Sequence, residues 1–382
     1  MFAAQENNVG TVVVELNHND DDDGLPACKR MLLDHCSVEP QKITKTAPAT
    51  RVDKSGANLS VESKSITLDT ECIVVDDISD GQETFPIPVL VPFGHPSGSE
   101  PFAACRYRKS GFVLQDDGYR TLYTDEEQES CQISAELPFE GCKCVGSCLE
   151  SDNCACHNRT MTLSDANAPP YNKSGRISAE QLLNVNLFYH KTFECNSNCQ
   201  CTNTCSNRVA QHGLRYRLEV FETSDRGFGV RAAERIPRGM FVAEYTGELL
   251  PEEEGTLGND TYVYDAPISG YIVDAQRYGN VARFINHSCD PNLEPKRVVW
   301  DNRVLPHICL FAYHRDVQIG EELTVNYGEW WRMKRGIEFI NGEPTPLYCK
   351  CGSERCKFSK DDWKVRVRNG NLHPYAREDM VR

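Results

Sequence analysis

Arg283-Phe284-Ile285-Asn286-His287-Ser288-Cys289-Asp290-Pro291-Asn292 sets a guanidinium, an amide, an imidazole and a thiol close together, ahead of an Asp-Pro turn signal. An isolated Asn-His pair is structural more often than functional, so its meaning depends on its company. Two further segments of the same region carry polar and aromatic residues at turns. Arg226-Gly227-Phe228-Gly229-Val230 contains a Gly-x-Gly turn, which lets a backbone approach a ligand closely. Gly320-Glu321-Glu322-Leu323-Thr324-Val325-Asn326-Tyr327 ends a short strand pattern on a tyrosine. Around them, apolar stretches bounded by Gly, Pro and Asp predict strands at Arg217 to Glu222, Phe241 to Tyr245, Thr261 to Tyr264, Tyr271 to Val273, His307 to Ala312 and Glu322 to Val325. The region from Arg215 onward therefore reads as β-rich.

Cysteines flank it on both sides. Nine lie between Cys142 and Cys205, at Cys142, Cys144, Cys148, Cys154 and Cys156, then Cys195, Cys199, Cys201 and Cys205. Thiolates this tightly bunched converge on a soft cation such as zinc, and disulfides need no such bunching. Two separate tetrahedral sites would strand one of the nine. Three zincs have twelve ligand positions, which nine thiolates fill if three of them bridge, giving a trinuclear cluster of formal charge −3. The stretch from Met161 to Thr192 between the two groups reads as an inserted loop with one short helix at Ala179 to Val185. Cys349, Cys351 and Cys356 form a trio one ligand short of a tetrahedron. The fourth is Cys289 or one of Cys28, Cys36, Cys72, Cys105, Cys131 and Cys309, and spacing does not choose among them.

The chain has 382 residues, 41 Lys+Arg, 56 Asp+Glu and a formal charge of −15. Residues 1–100 hold 17 of the acidic and 7 of the basic residues, so most of the acidity sits in the first quarter. That composition buries too little apolar surface to offset chain entropy, and residues 1–82 read as disordered, with a chromatin protein as a candidate partner. The negative charge opposes polyanion affinity and argues against direct nucleic-acid binding as a primary role. The first thirty residues carry no basic n-region followed by an apolar run, and no stretch is long enough to cross a bilayer, so a reducing compartment away from membranes is expected.

Taken in order and beside the cysteine arrays, the three segments resemble the SET-domain protein lysine methyltransferases. Within these the chain is similar to the branch with cysteine-rich pre-SET and post-SET segments that methylates lysine nine of histone H3. The likeness runs from about Phe85 to Lys360 and leans toward the euchromatic type through Phe193-Glu194-Cys195-Asn196, Asn207-Arg208-Val209, Glu244-Tyr245-Thr246-Gly247-Glu248 and Cys351-Gly352-Ser353-Glu354-Arg355-Cys356. It implies a mainly β fold of small sheets with short helices. In it the Asn286-His287 segment threads beneath the strand ending at Tyr327 as a pseudoknot, a rare topology. The implied organisation is an acidic region 1–82, a pre-SET region 83–212 with its zinc cluster over 142–205, a SET domain 213–335, a post-SET zinc segment 345–361 and a tail 362–382.

The resemblance also implies roles. S-adenosylmethionine would contact Arg226, Gly227, Phe228, Tyr262, Arg283, Asn286 and His287; Tyr327 would be the catalytic tyrosine with Tyr245 beside it in a lysine channel. Cys289 with Cys349, Cys351 and Cys356 would hold a fourth zinc. Asp260 and Asp265, near the acidic run Glu252 to Glu254, would suit a basic histone tail in the substrate groove, and Val325 would border the methyl-accepting end. Nuclear, silencing-type methylation of histone H3 on the nucleosome is the implied activity, against a catalytically weak SET scaffold for chromatin contacts or a methyltransferase of a non-histone protein. The chain departs from the family at three positions: Phe228 where Trp is usual, Asn326 where Asp precedes the tyrosine, and Val325 where Phe or Tyr limits the methyl count.

Overall fold

The computed structural model describes residues 71–93, 105–114, 139–151, 153–164, 168–183, 190–252, 260–301, 305–328, 337–340, 343–346 and 349–356. The expectations for residues 1–70, for Glu253 and Glu254, for the side chain of Asp260 and for the tail 362–382 lie outside the described residues. Among the described residues, no helix is long and apolar enough to cross a membrane.

Short sheets dominate, as the composition of the strands dictates. His307–Ala312 and Phe241–Tyr245 are largely apolar, with His307 and Glu244 the exceptions, and are buried along their whole length. They pair antiparallel in a four-stranded sheet completed by Leu293–Val299 and Lys191–Phe193. A six-stranded sheet runs, in spatial order, through Glu71–Val75, Val89–Pro92, Leu218–Glu222, Phe228–Ala232, Glu322–Val325 and Asn286–His287. A second four-stranded sheet orders Val263–Asp265, Tyr271–Asp274, Gly247–Pro251 and Phe112–Leu114. One apolar core joins them, with Val220, Val230, Val273, Val281, Leu293 and Leu323 fully closed to solvent.

One expectation about boundaries changes. Residues 1–82 were expected to be mostly disordered, yet Glu71–Val75 is a strand, paired antiparallel with Val89–Pro92. The run Cys72-Ile73-Val74-Val75 supplies β-branched residues that its acidic surroundings mask in a composition count. Strands pair across the division at 212/213. Val89–Pro92, Arg106–Tyr107, Phe112–Leu114 and Lys191–Phe193 each add a parallel strand to an element of the later region. The earlier region thus clamps the sheets that carry the site.

The stretch from Met161 to Thr192 is more ordered than a loop. The helix Ala155–Ser164 runs into it, the helix Ala179–Leu183 lies where one was expected, and Lys191–Phe193 is a strand. The first helix lacks an apolar stripe; it is held instead by buried Cys156 and by Thr160, whose Oγ1 accepts the Phe193 N–H at 2.9 Å. Thr261 to Tyr264 splits into a 3-10 turn Asp260–Tyr262 and a strand Val263–Asp265. A hairpin pairs Ile337–Ile340 with Glu343–Pro346.

Candidate active site and metal centres

The Gly-x-Gly turn is built by Thr223. Its Oγ1 donates to the Gly227 carbonyl at 2.7 Å and accepts the Arg226 N–H at 3.0 Å, closing a loop in which Gly227 takes φ +66°, a value that disfavours any side chain. Gly229 is required for a different reason, since a Cβ there would sit 2.9 Å from Oε1 of Glu322 and 3.1 Å from Nδ2 of Asn286. Glu322 lies beneath the turn and binds two residues at once. Its Oε2 accepts Nη2 of Arg226 at 2.7 Å, and its Oε1 accepts Nδ2 of Asn286 at 3.0 Å. Asn286 also donates to the Phe228 carbonyl at 3.1 Å. Turn and Asn-His segment are thus fixed to each other through one carboxylate, a role the sequence reading did not assign to Glu322.

Asn286–His287 runs parallel to Glu322–Val325, with Asn286 opposite Thr324 and His287 opposite Val325. Beyond that pairing, Nδ1 of His287 accepts the Tyr327 N–H at 3.1 Å. The Tyr327 hydroxyl turns back to donate to the Ile285 carbonyl at 2.6 Å, and the Tyr245 hydroxyl donates to the Tyr262 carbonyl at 2.5 Å. A phenol oxygen that donates in this way can also act as an acceptor. They line one pocket together with Val263, Tyr264, Ile285 and Val325. The Tyr264 ring stands 5.0 Å from that of Tyr245. Burial pushes the Tyr245 and Tyr264 hydroxyls well above the ordinary phenol pKa, so both stay protonated.

Arg283 closes one side. Its Nε donates to the Ala275 carbonyl at 2.7 Å, and its guanidinium stacks 3.6 Å above the Tyr262 ring and 4.7 Å from that of Phe284. Phe284 in turn meets Phe228 edge-on at 6.2 Å. Every residue expected to touch the cofactor therefore lies on one connected patch behind the pocket. Asp265 is exposed at the end of the strand whose Val263 and Tyr264 form the pocket wall, and that strand is the outer one of its sheet. Tyr264 and Glu322 are the residues that sequence reasoning missed. The Glu322 signal was present in Gly320-Glu321-Glu322, but nothing local says what its carboxylate holds.

The nine cysteines form a compact cluster of their own. Three overlapping sets of four sulfurs lie within 4.8 Å of one another, and Cys142, Cys148 and Cys195 recur between sets. Individual Sγ separations include 3.4 Å for Cys142 to Cys148, 3.4 Å for Cys148 to Cys195 and 3.6 Å for Cys156 to Cys199. A zinc with sulfur ligands at about 2.3 Å puts neighbouring ligands about 3.8 Å apart, whereas a disulfide brings them to about 2.05 Å. The donor set fits zinc. At the other end Cys289 joins the trio, with Sγ 3.9 Å from Cys349 and 3.7 Å from Cys356, all four within 4.8 Å. Among the described residues, Cys72, Cys105 and Cys309 stand outside both groups.

A SET-domain family model matches residues 227–328 and a Pre-SET motif model matches residues 79–208. The chain belongs to the SET-domain proteins, in the branch that carries a pre-SET motif. Its relatives are histone-lysine N-methyltransferases. The human protein named EHMT1 is 36% identical over 297 residues, which is 76% of this chain and 20% of that protein. The Arabidopsis thaliana protein named H3 lysine-9 specific SUVH5 is 34% identical over 226 residues, 58% of this chain and 26% of that protein. The crystal structure of KRYPTONITE, in complex with mCHH DNA, an H3(1-15) peptide and SAH, superposes with a TM-score of 0.58 at 30% identity, covering 75% of this chain and 53% of that one. The chain thus spans well under two thirds of the length of these relatives.

Proposed function

We propose that this chain transfers a methyl group from S-adenosylmethionine to a lysine of histone H3, lysine nine before others, in nuclear chromatin. The observation that carries the proposal is the pocket itself. It rings one hole with Tyr245, Tyr264, Tyr327, Val263, Ile285 and Val325, and Arg283 on its lining joins it to the patch that holds the Arg226 to Phe228 turn, Tyr262, Asn286 and His287. The names of SUVH5 and EHMT1 and the ligands of the KRYPTONITE complex support the same substrate and cofactor.

Bound in the patch, the cofactor would supply a methyl group activated by an adjacent sulfonium. The chain's own task is to present a neutral amine in line with it. Deprotonating a free lysine at pH 7 costs about 4 to 5 kcal/mol. A buried aromatic channel reduces that cost by withholding water from the ammonium form. Tyr245 and Tyr327, each already donating to a carbonyl, meet the amine as acceptors and orient its lone pair. The strand Val263–Asp265, outermost in its sheet among the described residues, suits an extended peptide added as a further strand, with exposed Asp265 facing a basic tail. Val325 leaves space beside the amine, so successive methyl groups fit and the products are di- and trimethyl-lysine. Three zincs on the nine cysteines and one on Cys289, Cys349, Cys351 and Cys356 complete the protein, the acidic N-terminal region being left to a chromatin partner.

The test is transfer from labelled S-adenosylmethionine to histone H3 peptides with single lysines replaced, with Tyr327→Phe as control. Label lost only when lysine nine is replaced, and lost in the control, supports the proposal. No label on any peptide or nucleosome from protein that retains its zinc favours a SET scaffold or a non-histone substrate.

A further inference from the structure

His307 opens the strand His307–Ala312 and is 3% exposed, yet both of its ring nitrogens face carboxylates. Nδ1 lies 2.6 Å from Oε1 of Glu244 and Nε2 lies 2.8 Å from Oδ1 of Asp301. A neutral imidazole has one N–H, so one of these contacts would set lone pair against lone pair. With both nitrogens donating, the ring is an imidazolium. The Trp300 ring stacks on it at 3.4 Å and 10°, and Phe112 lies nearly parallel at 6.4 Å, an arrangement that favours a cation. Burial alone would lower the pKa of His307, but the charge on Glu244 and the hydrogen bonds to Asp301 and Glu244 outweigh it and raise it to about 9.

Glu244 is the other half of the device. It is 4% exposed, and besides His307 it accepts the Ser110 hydroxyl at 2.6 Å and the Gly111 N–H at 2.8 Å. Its own carbonyl accepts Nδ2 of Asn280 at 2.8 Å. The next residue is Tyr245, and because strand side chains alternate, fixing Glu244 on one face fixes where Tyr245 enters the pocket on the other. Among the described residues, other ionisable groups close by include the Arg108 guanidinium, beside Gly111 and donating to the Phe112 carbonyl, and the Cys309 thiol, which burial and Glu244 hold protonated.

We propose that His307 is a positioning residue for Tyr245: a buried cation that ties Glu244 to the Asp301 turn and so sets the wall of the lysine channel. The functional half rests on the methyltransferase reading above. The electrostatic half does not. A histidine whose folded pKa lies above its ordinary value contributes stability that is complete below about pH 6.5 and is lost as pH rises through about 9.

The experiment uses the full chain with H307Q and H307R. Nitrogen NMR of the unaltered protein at pH 7 should show protons on both His307 ring nitrogens, and its melting temperature should fall from about pH 6.5 to about pH 9 more steeply than that of H307R. H307Q should lower kcat on an H3 peptide by about tenfold or more, leave cofactor affinity measured by calorimetry unchanged, and be rescued by H307R. A single ring proton at pH 7, a folded H307Q with unaltered kcat, or equal impairment of both variants overturns the proposal. If the unaltered chain transfers no methyl group, the methyltransferase reading fails, while the proton count and the melting comparison still decide whether His307 is the cation.

Discussion

The Tyr327 main-chain N–H is bound by Nδ1 of His287 at 3.1 Å, and the opposite nitrogen of that imidazole stands 3.5 Å from Sγ of Cys289. One ring therefore links the tyrosine of the pocket to a cysteine of the C-terminal four-sulfur group. With Nδ1 accepting, the proton sits on Nε2 and points at sulfur, the arrangement by which an outer hydrogen bond orients a ligand to metal. Cys356→Ser should release one zinc and lower methyl transfer by about tenfold or more. The nine-cysteine cluster should keep its metal. Metal content by plasma mass spectrometry beside a transfer assay checks this, and a variant that lost the zinc but kept full activity would separate the site from the tyrosine.

Glu322 carries the junction between Arg226 and Asn286. Glu322→Gln keeps the shape and removes the charge, so the Arg226 guanidinium loses its closer carboxylate and keeps only Asp225, at 3.8 Å, while the turn stays in place. Charge-assisted hydrogen bonds of this kind contribute about 1.5 to 3 kcal/mol. Cofactor affinity measured by calorimetry should fall by about ten- to a hundredfold, with a smaller effect on peptide KM. Gly229→Ala attacks the same junction sterically, its Cβ meeting Glu322 and Asn286, and should weaken cofactor binding in the same direction.

What the sequence made legible follows from how local each signal is. Phe241–Tyr245 and His307–Ala312 were predicted at their observed limits because apolar residues dominate each short run, and Glu322–Val325 because its apolar residues alternate with polar ones. Leu293–Val299 was missed because Pro295, Glu294 and Lys296 argue against a central strand. The structure tolerates Pro295 because Lys191–Phe193 pairs only with Arg297 to Val299, leaving the strand without that neighbour at the proline. The aromatic and cysteine residues of the site are visible as types and spacings. Glu322, Tyr264 and His307 are not, since each matters through partners distant in sequence.

Val325 is 3% exposed and shares the pocket with Tyr245, Tyr264 and Tyr327. Val325→Phe should fill the space beside the amine and shift products toward monomethyl-lysine, at a rate for the first methyl within a few fold of the unaltered chain. Mass spectrometry of an H3 peptide at long reaction times reads the outcome. Only monomethyl-lysine from the unaltered chain would show that another wall, with Tyr264 the nearest candidate, sets the limit.

Arg208 is a buried cation against the nine-cysteine cluster, 7% exposed, with Nη2 3.9 Å from Sγ of Cys201 and 2.7 Å from the Asn196 carbonyl. Its Nη1 donates to the Cys195 carbonyl at 3.1 Å, so it braces the ligand loop as well as the sulfur. Burial disfavours its charge, but the Cys201, Cys195 and Cys199 thiolates raise its pKa further still. On the proposed count of three zincs, the nine thiolates would leave an excess negative charge among mostly buried sulfurs, where a nearby cation is worth most. Arg208→Met keeps the packing volume and removes the charge, so a chelator should strip the cluster several-fold faster, read with a zinc-sensitive dye. The Cys289, Cys349, Cys351 and Cys356 site is the internal control. If all zinc left at one faster rate, Arg208 would be holding the fold; if only the cluster's zinc did, it would be balancing the thiolates.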